Sequence, residues 1–206
     1  MRNCLLLAGP ATQPERLLVC LARHSEVTAV SDEHLSQRLY GAARTSVRQC
    51  RSATVDDRPV DLISHGRAEG GAELMRLFEQ ARSAAGAPVV ILHDPDGPMF
   101  PFLEPPPVSL LVLVRSAESA AAVIGACGIE RVVSAARDAL AAFKTRVGGF
   151  GVPADRLLTI EEDRLDADPA TGMAEVCRML GVASDPATVA AMLSPLPDVV
   201  RQMRGE

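Results

Sequence analysis

The sequence predicts a single α/β domain, a three-layer sandwich in which helices cover both faces of a central, mainly parallel sheet. Three observations point there. Short apolar runs alternate with longer segments of helical periodicity along the whole chain. Three of the runs are continuously hydrophobic, as strands buried on both faces are, and lead into Gly9, His93 and Arg115. A chain of 206 residues, 48% of them hydrophobic, is long enough to bury a full core and short for two domains.

Residues 3–8 form the first such run, stopped by Gly9-Pro10. Pro14-Glu15-Arg16 opens a helix, because proline suits a first turn and Leu17, Leu18 and Leu21 recur at helical spacing; its end is expected near His24. Val27 to Val30 gives a second strand, and Asp32 to about Arg48 a helix with Leu35, Leu39, Ala42 and Ala43 along one side. Residues 50–58 are polar and turn-like, and Val60 to Ile63 is expected as a short strand.

Glu69 to Ala85 is amphipathic through Leu74, Leu77, Phe78 and Ala81, and Gly86 ends it. Val89 to Leu92 is a buried strand that delivers His93 at its end. Residues 94–107 carry six prolines and are expected to be irregular. Val108 to Val114 is the most apolar strand and leads into Arg115. Two Ala-rich helices follow, over 117–127 and 130–147, then a strand from Leu157 to Ile160. Pro169 to Leu180 is a helix closed by Gly181, and Pro186 to Leu193 a final short one. In such a sheet, function collects at the C-terminal ends of the strands.

Composition narrows the function classes. A net charge of −5 with scattered basic residues argues against a nucleic-acid partner, which needs clustered Lys and Arg; the run from Arg44 to Arg51 fits the polar face of a helix. With 3% aromatics there is no stacking platform for bases or sugars. Cysteines 4, 20, 50, 127 and 177 are odd in number and widely spaced, so they are expected as reduced residues of a cytoplasmic protein, with Cys4, Cys20 and Cys177 buried. No metal is expected, since His24, His34 and His65 lack ligand spacing and fit surface or turn positions. The apolar stretch from Cys4 to Ala8 is too short for a signal peptide or a spanning helix, so no membrane partner is expected. Neither Gly-x-Gly-x-x-Gly nor Gly-x-x-x-x-Gly-Lys-Ser/Thr occurs, which removes the usual dinucleotide and NTP sites.

Four segments carry a family resemblance. Leu157-Leu158-Thr159-Ile160-Glu161-Glu162-Asp163-Arg164-Leu165, running through Asp168-Pro169 to Met179-Leu180-Gly181, resembles the C-terminal signature of the sulfotransferases, members of the P-loop-containing fold. There a strand leads to Tyr-Glu-Asp-Leu, an Asp-Pro opens a helix and Phe-Leu-Gly closes it. Gly9, Leu17-Leu18 and His24-Ser25-Glu26-Val27 keep the frame of that family's phosphosulfate loop, helix and His-Pro-Asp-Val. Leu92-His93-Asp94-Pro95 resembles the strand end bearing the catalytic base, and Val108 to Val123 the strand whose final arginine and a later serine hold the donor's 3′-phosphate. Arg115 keeps the arginine; Val123 stands at the serine position. The resemblance implies a sulfotransferase-like fold over nearly the whole chain, with 3′-phosphoadenylyl sulfate (PAPS) as the family's donor.

The donor loop departs from the family. Between Gly9 and Leu17 the chain has Pro10-Ala11-Thr12-Gln13-Pro14-Glu15-Arg16, with none of the family's phosphate-binding letters. Pro14 removes a backbone donor, Thr12 replaces a cation, and Glu15 puts a carboxylate in the first turn, where it is expected to satisfy the free N–H groups itself. An open anion cradle is therefore not expected. Gly9, Arg16 and Arg115 are cofactor-binding candidates only if the donor is still bound. Arg115 has an ion pair with Glu118 or another nearby acid as its alternative, and Glu161, Glu162 and Asp163 are expected as a solvated strand exit from which Glu162 can face the cleft.

His93 is the catalytic candidate, an acid or base at a strand end, with a merely hydrogen-bonded histidine as the alternative. Asp94 and Asp96 suit either orienting its ring or making Asx turns. His93, Gly9 and Arg115 are expected to converge on one principal cleft. Three functions stay open: a repurposed enzyme without cofactor performing cyclisation, elimination or hydrolysis on a small-molecule substrate, with bacterial secondary metabolism as a setting; a PAPS-dependent sulfotransferase with an atypical loop; and a non-catalytic binding or scaffold relative.

Overall fold

The structure is a computed structural model that describes residues 2–52, 62–93, 108–124, 129–148 and 151–194, with side chains described outside 46–52, 62–67, 123–124 and 129–132. Its strands are β1 (Arg2–Ala8), β2 (Val27–Ser31), β3 (Val89–His93), β4 (Ser109–Val114) and β5 (Leu157–Glu161). Its helices are α1 (Pro14–Leu21), α2 (Leu35–Ser52), α3 (Leu62–Ala85), α4 (Ala117–Ile124), α5 (Ile129–Gly148), α6 (Glu162–Ala167), α7 (Pro169–Leu180) and α8 (Pro186–Leu193). The strands form one five-stranded sheet in the order β2-β3-β1-β4-β5, and every neighbouring pair is parallel.

Alternation along the strands divides the core in two. Cys4, Leu6, Ile91, Leu111, Leu113 and Ile160 face Leu17, Leu18 and Leu21 of α1 together with Met173, Val176 and Cys177 of α7 and Val189 of α8. Leu5, Leu7, Val90, Leu92, Leu110 and Val112 face Leu35 and Leu39 of α2, Leu74 and Phe78 of α3 and Phe143 of α5. Each fully buried leucine contributes about 1.5–3 kcal/mol of transfer free energy, so continuous apolar runs are what both faces of the sheet demand. The chain winds outward from β1 to β3 and β2 on one side and to β4 and β5 on the other. That reversal puts a crevice at the C-terminal ends of β1 and β4, where open α/β sheets bind ligands.

Local chemistry explains the element ends. Asp168 accepts the Thr171 N–H at 3.1 Å with Pro169 in the first turn of α7, and Gly181, at φ 68°, closes that helix. Asp185 caps α8 through the N–H groups of Ala187 at 3.1 Å and Thr188 at 3.0 Å.

Several boundaries differ from the sequence expectation. No strand forms at Leu62-Ile63, because α3 begins at Leu62; Val60 and Asp61 lie outside the described residues. Here helical pairing of α3 against α2 overrides a short β-branched apolar run. For the same reason α2 continues to Ser52 through part of the expected turn. α1 stops at Leu21, and a separate helix, α6, follows β5 directly. The proline-rich stretch 94–107 lies outside the described residues.

His24 is not a surface residue: it is 4% exposed, accepts the Glu26 N–H on Nδ1 at 3.2 Å and has Nε2 3.1 Å from the Ala183 carbonyl. It ties the end of α1 to the loop before α8. His34 is exposed, as expected, and the His65 side chain lies outside the described set. Among the described residues no helix is long and apolar enough to cross a membrane, and no three His, Cys, Asp or Glu side chains cluster as a metal site.

The cysteines give a first test. Cys4 and Cys177 are fully buried, as expected, whereas Cys20 is only half-buried, because it sits at the edge of the α1 stripe. Burial pushes the Cys4 thiol up to about 12, and it raises the Cys20 and Cys177 thiols too. In the native protein a bulky thiol reagent should label Cys20 well before Cys4 and Cys177, read by peptide mapping; equal rates for the three would contradict the packing of α1 and α7 on β1.

Candidate functional site

The crevice at the ends of β1 and β4 is built from the Gly9 turn upward. Gly9 N–H donates to the Leu113 carbonyl at 2.8 Å, and a Cβ on Gly9 would stand 3.1 Å from that oxygen and 3.4 Å from the Phe143 ring. Only glycine lets β1 turn this close to β4. Ala11 then takes φ 59°, and Thr12 closes the turn by donating its N–H at 3.3 Å and its hydroxyl at 2.8 Å to the Gly9 carbonyl. The chain enters α1 at Pro14 with the Gln13 N–H facing into the crevice.

A carboxylate of the protein itself receives that N–H. Glu162 Oε1 accepts it at 3.0 Å, while Glu162 Oε2 accepts Arg115 Nε at 2.9 Å and Nη2 at 2.8 Å. Glu162 is 5% exposed and Arg115 9%. Next to them, Asp163 Oδ2 accepts the Ser116 N–H at 3.1 Å. Burial opposes the Asp163 charge, but hydrogen bonds from Ser116 and Ser119 and the nearby Arg115 hold its carboxyl below the usual aspartate range. The ends of β1, β4 and β5 are thus laced together by two consecutive acids of one strand exit.

This corrects one expectation and decides between the alternatives of two others. The helix entrance is satisfied not by Glu15, which is exposed, but by Glu162, 149 residues away along the chain. Of the acids open to Arg115 as ion-pair partners it takes Glu162, while Glu118 binds the Arg137 guanidinium at 2.7 Å. At the strand exit Glu161 is exposed, and Glu162, the acid allowed to face the cleft, is buried in the first turn of α6.

Arg16 forms an ion pair with Asp166 at the surface, the two side chains 67% and 44% exposed, an arrangement worth about 0–1 kcal/mol. Arg16, Gln13, Leu17, Leu113, Glu162 and Asp166 contribute to a cleft between α1, α6 and α7. His93, Gly9 and Arg115 are not among the residues that line this cleft.

His93 stands apart on the same sheet face, by its alternation with the core residue Ile91. It is 1% exposed; Nδ1 lies 3.1 Å from the Ser31 hydroxyl, and Nε2 is buried with no hydrogen-bond partner among the described residues. Burial lowers its pKa below the ordinary histidine value, partly offset by the Glu15 carboxylate. Asp94 and Asp96, the expected neighbours of its ring, lie outside the described residues.

Two outcomes follow from these burials. Glu162→Ala leaves Arg115 buried without its counter-charge and should lower stability by about 3–5 kcal/mol in denaturant unfolding, more than Asp166→Ala at the exposed pair. His93 is depressed in the folded state, so its contribution is complete above the unfolded pKa of about 6.5 and is lost as pH falls through the folded value. His93→Asn should therefore flatten the stability curve below about pH 6.5 relative to the wild type, leaving the shape above it unchanged.

No protein-family model matches the sequence, and no curated protein sequence matches it. Solved structures do share its fold. A sulfotransferase domain from the Synechococcus PCC 7002 olefin synthase superposes with a TM-score of 0.58 at 17% identity, covering 97% of this chain and 82% of that one. A sulfotransferase from Alicyclobacillus acidocaldarius gives 0.55 at 14% identity, with 100% and 90% covered. A sulfotransferase domain from the curacin biosynthetic pathway gives 0.55 at 14%, with 95% and 79% covered. The chain therefore has a sulfotransferase-like α/β fold, a five-stranded all-parallel sheet flanked by helices, as its sequence motifs imply.

Proposed function

We propose that this protein uses the sulfotransferase fold without PAPS, and that His93 acts as acid or base on a small organic substrate. The observation that carries the proposal is the Glu162 carboxylate. It receives the Gln13 N–H at the entrance of α1 and the Arg115 guanidinium, the two kinds of donor that an anionic ligand at this crevice would need. A phosphate arriving there must displace Glu162 and leave that carboxylate unpaired. Breaking such a buried pair costs about 3–5 kcal/mol, roughly 100- to 1,000-fold in affinity, before repulsion between the two anions is counted.

What remains for chemistry is His93. A desolvated imidazole with its pKa held below the ordinary value is neutral at physiological pH, and its Nε2 has no protein partner among the described residues. Such a nitrogen suits removing a proton from a substrate O–H or C–H and returning it to another atom, as cyclisation or elimination requires. Two of the similar folds are domains of an olefin synthase and of the curacin pathway, which supports a small organic substrate.

Calorimetric titration with adenosine 3′,5′-bisphosphate tests the first half: no binding is expected, and submillimolar binding would return the protein to donor-dependent sulfuryl transfer. Substrate turnover without a sulfuryl donor tests the second. There His93→Asn, folded normally, should lose about 100-fold or more in rate; near-wild-type turnover would move the protein toward a non-catalytic scaffold.

A further inference from the structure

Two buried histidines differ in how they are satisfied. In His24 the Glu26 N–H must donate to Nδ1, so the ring proton sits on Nε2 and points at the Ala183 carbonyl; both nitrogens have partners. In His93 only Nδ1 has one, the Ser31 hydroxyl at 3.1 Å, and a hydroxyl can either donate or accept. The other end of the ring decides. A buried N–H without an acceptor is among the rarest defects of folded proteins, whereas an unfilled lone pair is tolerated more often. Ser31 is exposed, so its own O–H can turn to water while its oxygen accepts from the ring.

We infer that Ser31 is a positioning residue that holds His93 with its proton on Nδ1, so that Nε2 presents a bare lone pair as a general base. The backbone supports this fixed geometry. Ser31 and His93 are register partners on adjacent parallel strands, and the Asp32 N–H donates to the His93 carbonyl at 3.0 Å. The two side chains thus meet because β2 and β3 are in register. The inference rests on the reading of His93 as the acid or base and narrows it: the resting ring accepts a proton at Nε2, and the protonated ring returns it from the same atom, with Ser31 holding the imidazolium through Nδ1–H.

Long-range proton–nitrogen correlation spectra of uniformly 15N-labelled protein at about pH 8, where histidine is neutral, test it without any substrate. His93→Asn assigns the His93 ring signals, and His24 serves as an internal reference for the opposite tautomer. His93 should show a pyrrole-type Nδ1 and a pyridine-type Nε2, while His24 shows the reverse. Ser31→Ala, at an exposed position, should lose most of the Nδ1–H form, and Ser31→Thr should retain it. An Nε2–H form in the wild type, or an Nδ1–H form untouched by Ser31→Ala, overturns the inference. These results do not depend on donor binding or turnover, so the tautomer assignment and the wider functional proposal fail separately.

Discussion

The buried pair of Arg115 and Glu162 is the constraint on which the C-terminal edge of this sheet depends. It joins the exit of β4 to the exit of β5, and through the Gln13 N–H it fixes the first turn of α1 over β1. Neither charge is tolerable alone at this depth, so each makes the other's position obligatory. The geometry has a chemical consequence as well as a structural one. The Gln13 N–H and the Arg115 guanidinium both find their acceptor in one carboxylate of the protein itself.

Two histidines buried among the described residues differ in how their ring nitrogens are satisfied. His24 is saturated by a backbone donor and a backbone carbonyl, and its place is to pin α1 against the loop that leads to α8. Among the described residues the His93 ring meets the Ser31 hydroxyl through Nδ1, and its Nε2 has no hydrogen-bond partner. Buried polar groups are nearly always paired, so a nitrogen without a partner stands out where a paired one does not. His24 lies in the turn after α1 and His93 at the end of β3, and their partners differ as their places do.

The same sheet edge unites these features. β1 turns away at Gly9 because Leu113 and Phe143 leave no room for a side chain, and β3 ends on a histidine within reach of β2. The crevice is formed by strand order, since β1 is flanked by β3 and β4 and the connections leave in opposite directions.

Most of the architecture was legible in the sequence. Val89 to Leu92 and Leu110 to Val114 are continuous apolar runs, which only a sheet covered on both faces can bury, and the Asp-Pro and Leu-Gly punctuation around α7 marks its ends by local capping chemistry. His93 and Arg115 were placed at strand ends for the same local reason. By contrast, Leu62-Ile63 has the letters of a strand and became helical through packing of α3 on α2. Glu162 was open to facing either solvent or the cleft, because its partners lie 47 and 149 residues away and no local rule brings them near. Periodicity and capping act over a few residues, so the sequence by itself determined the elements and their order. Which carboxylate fills the crevice, which histidine is saturated and which serine meets His93 are matters of register between distant strands, and only the tertiary structure decided them.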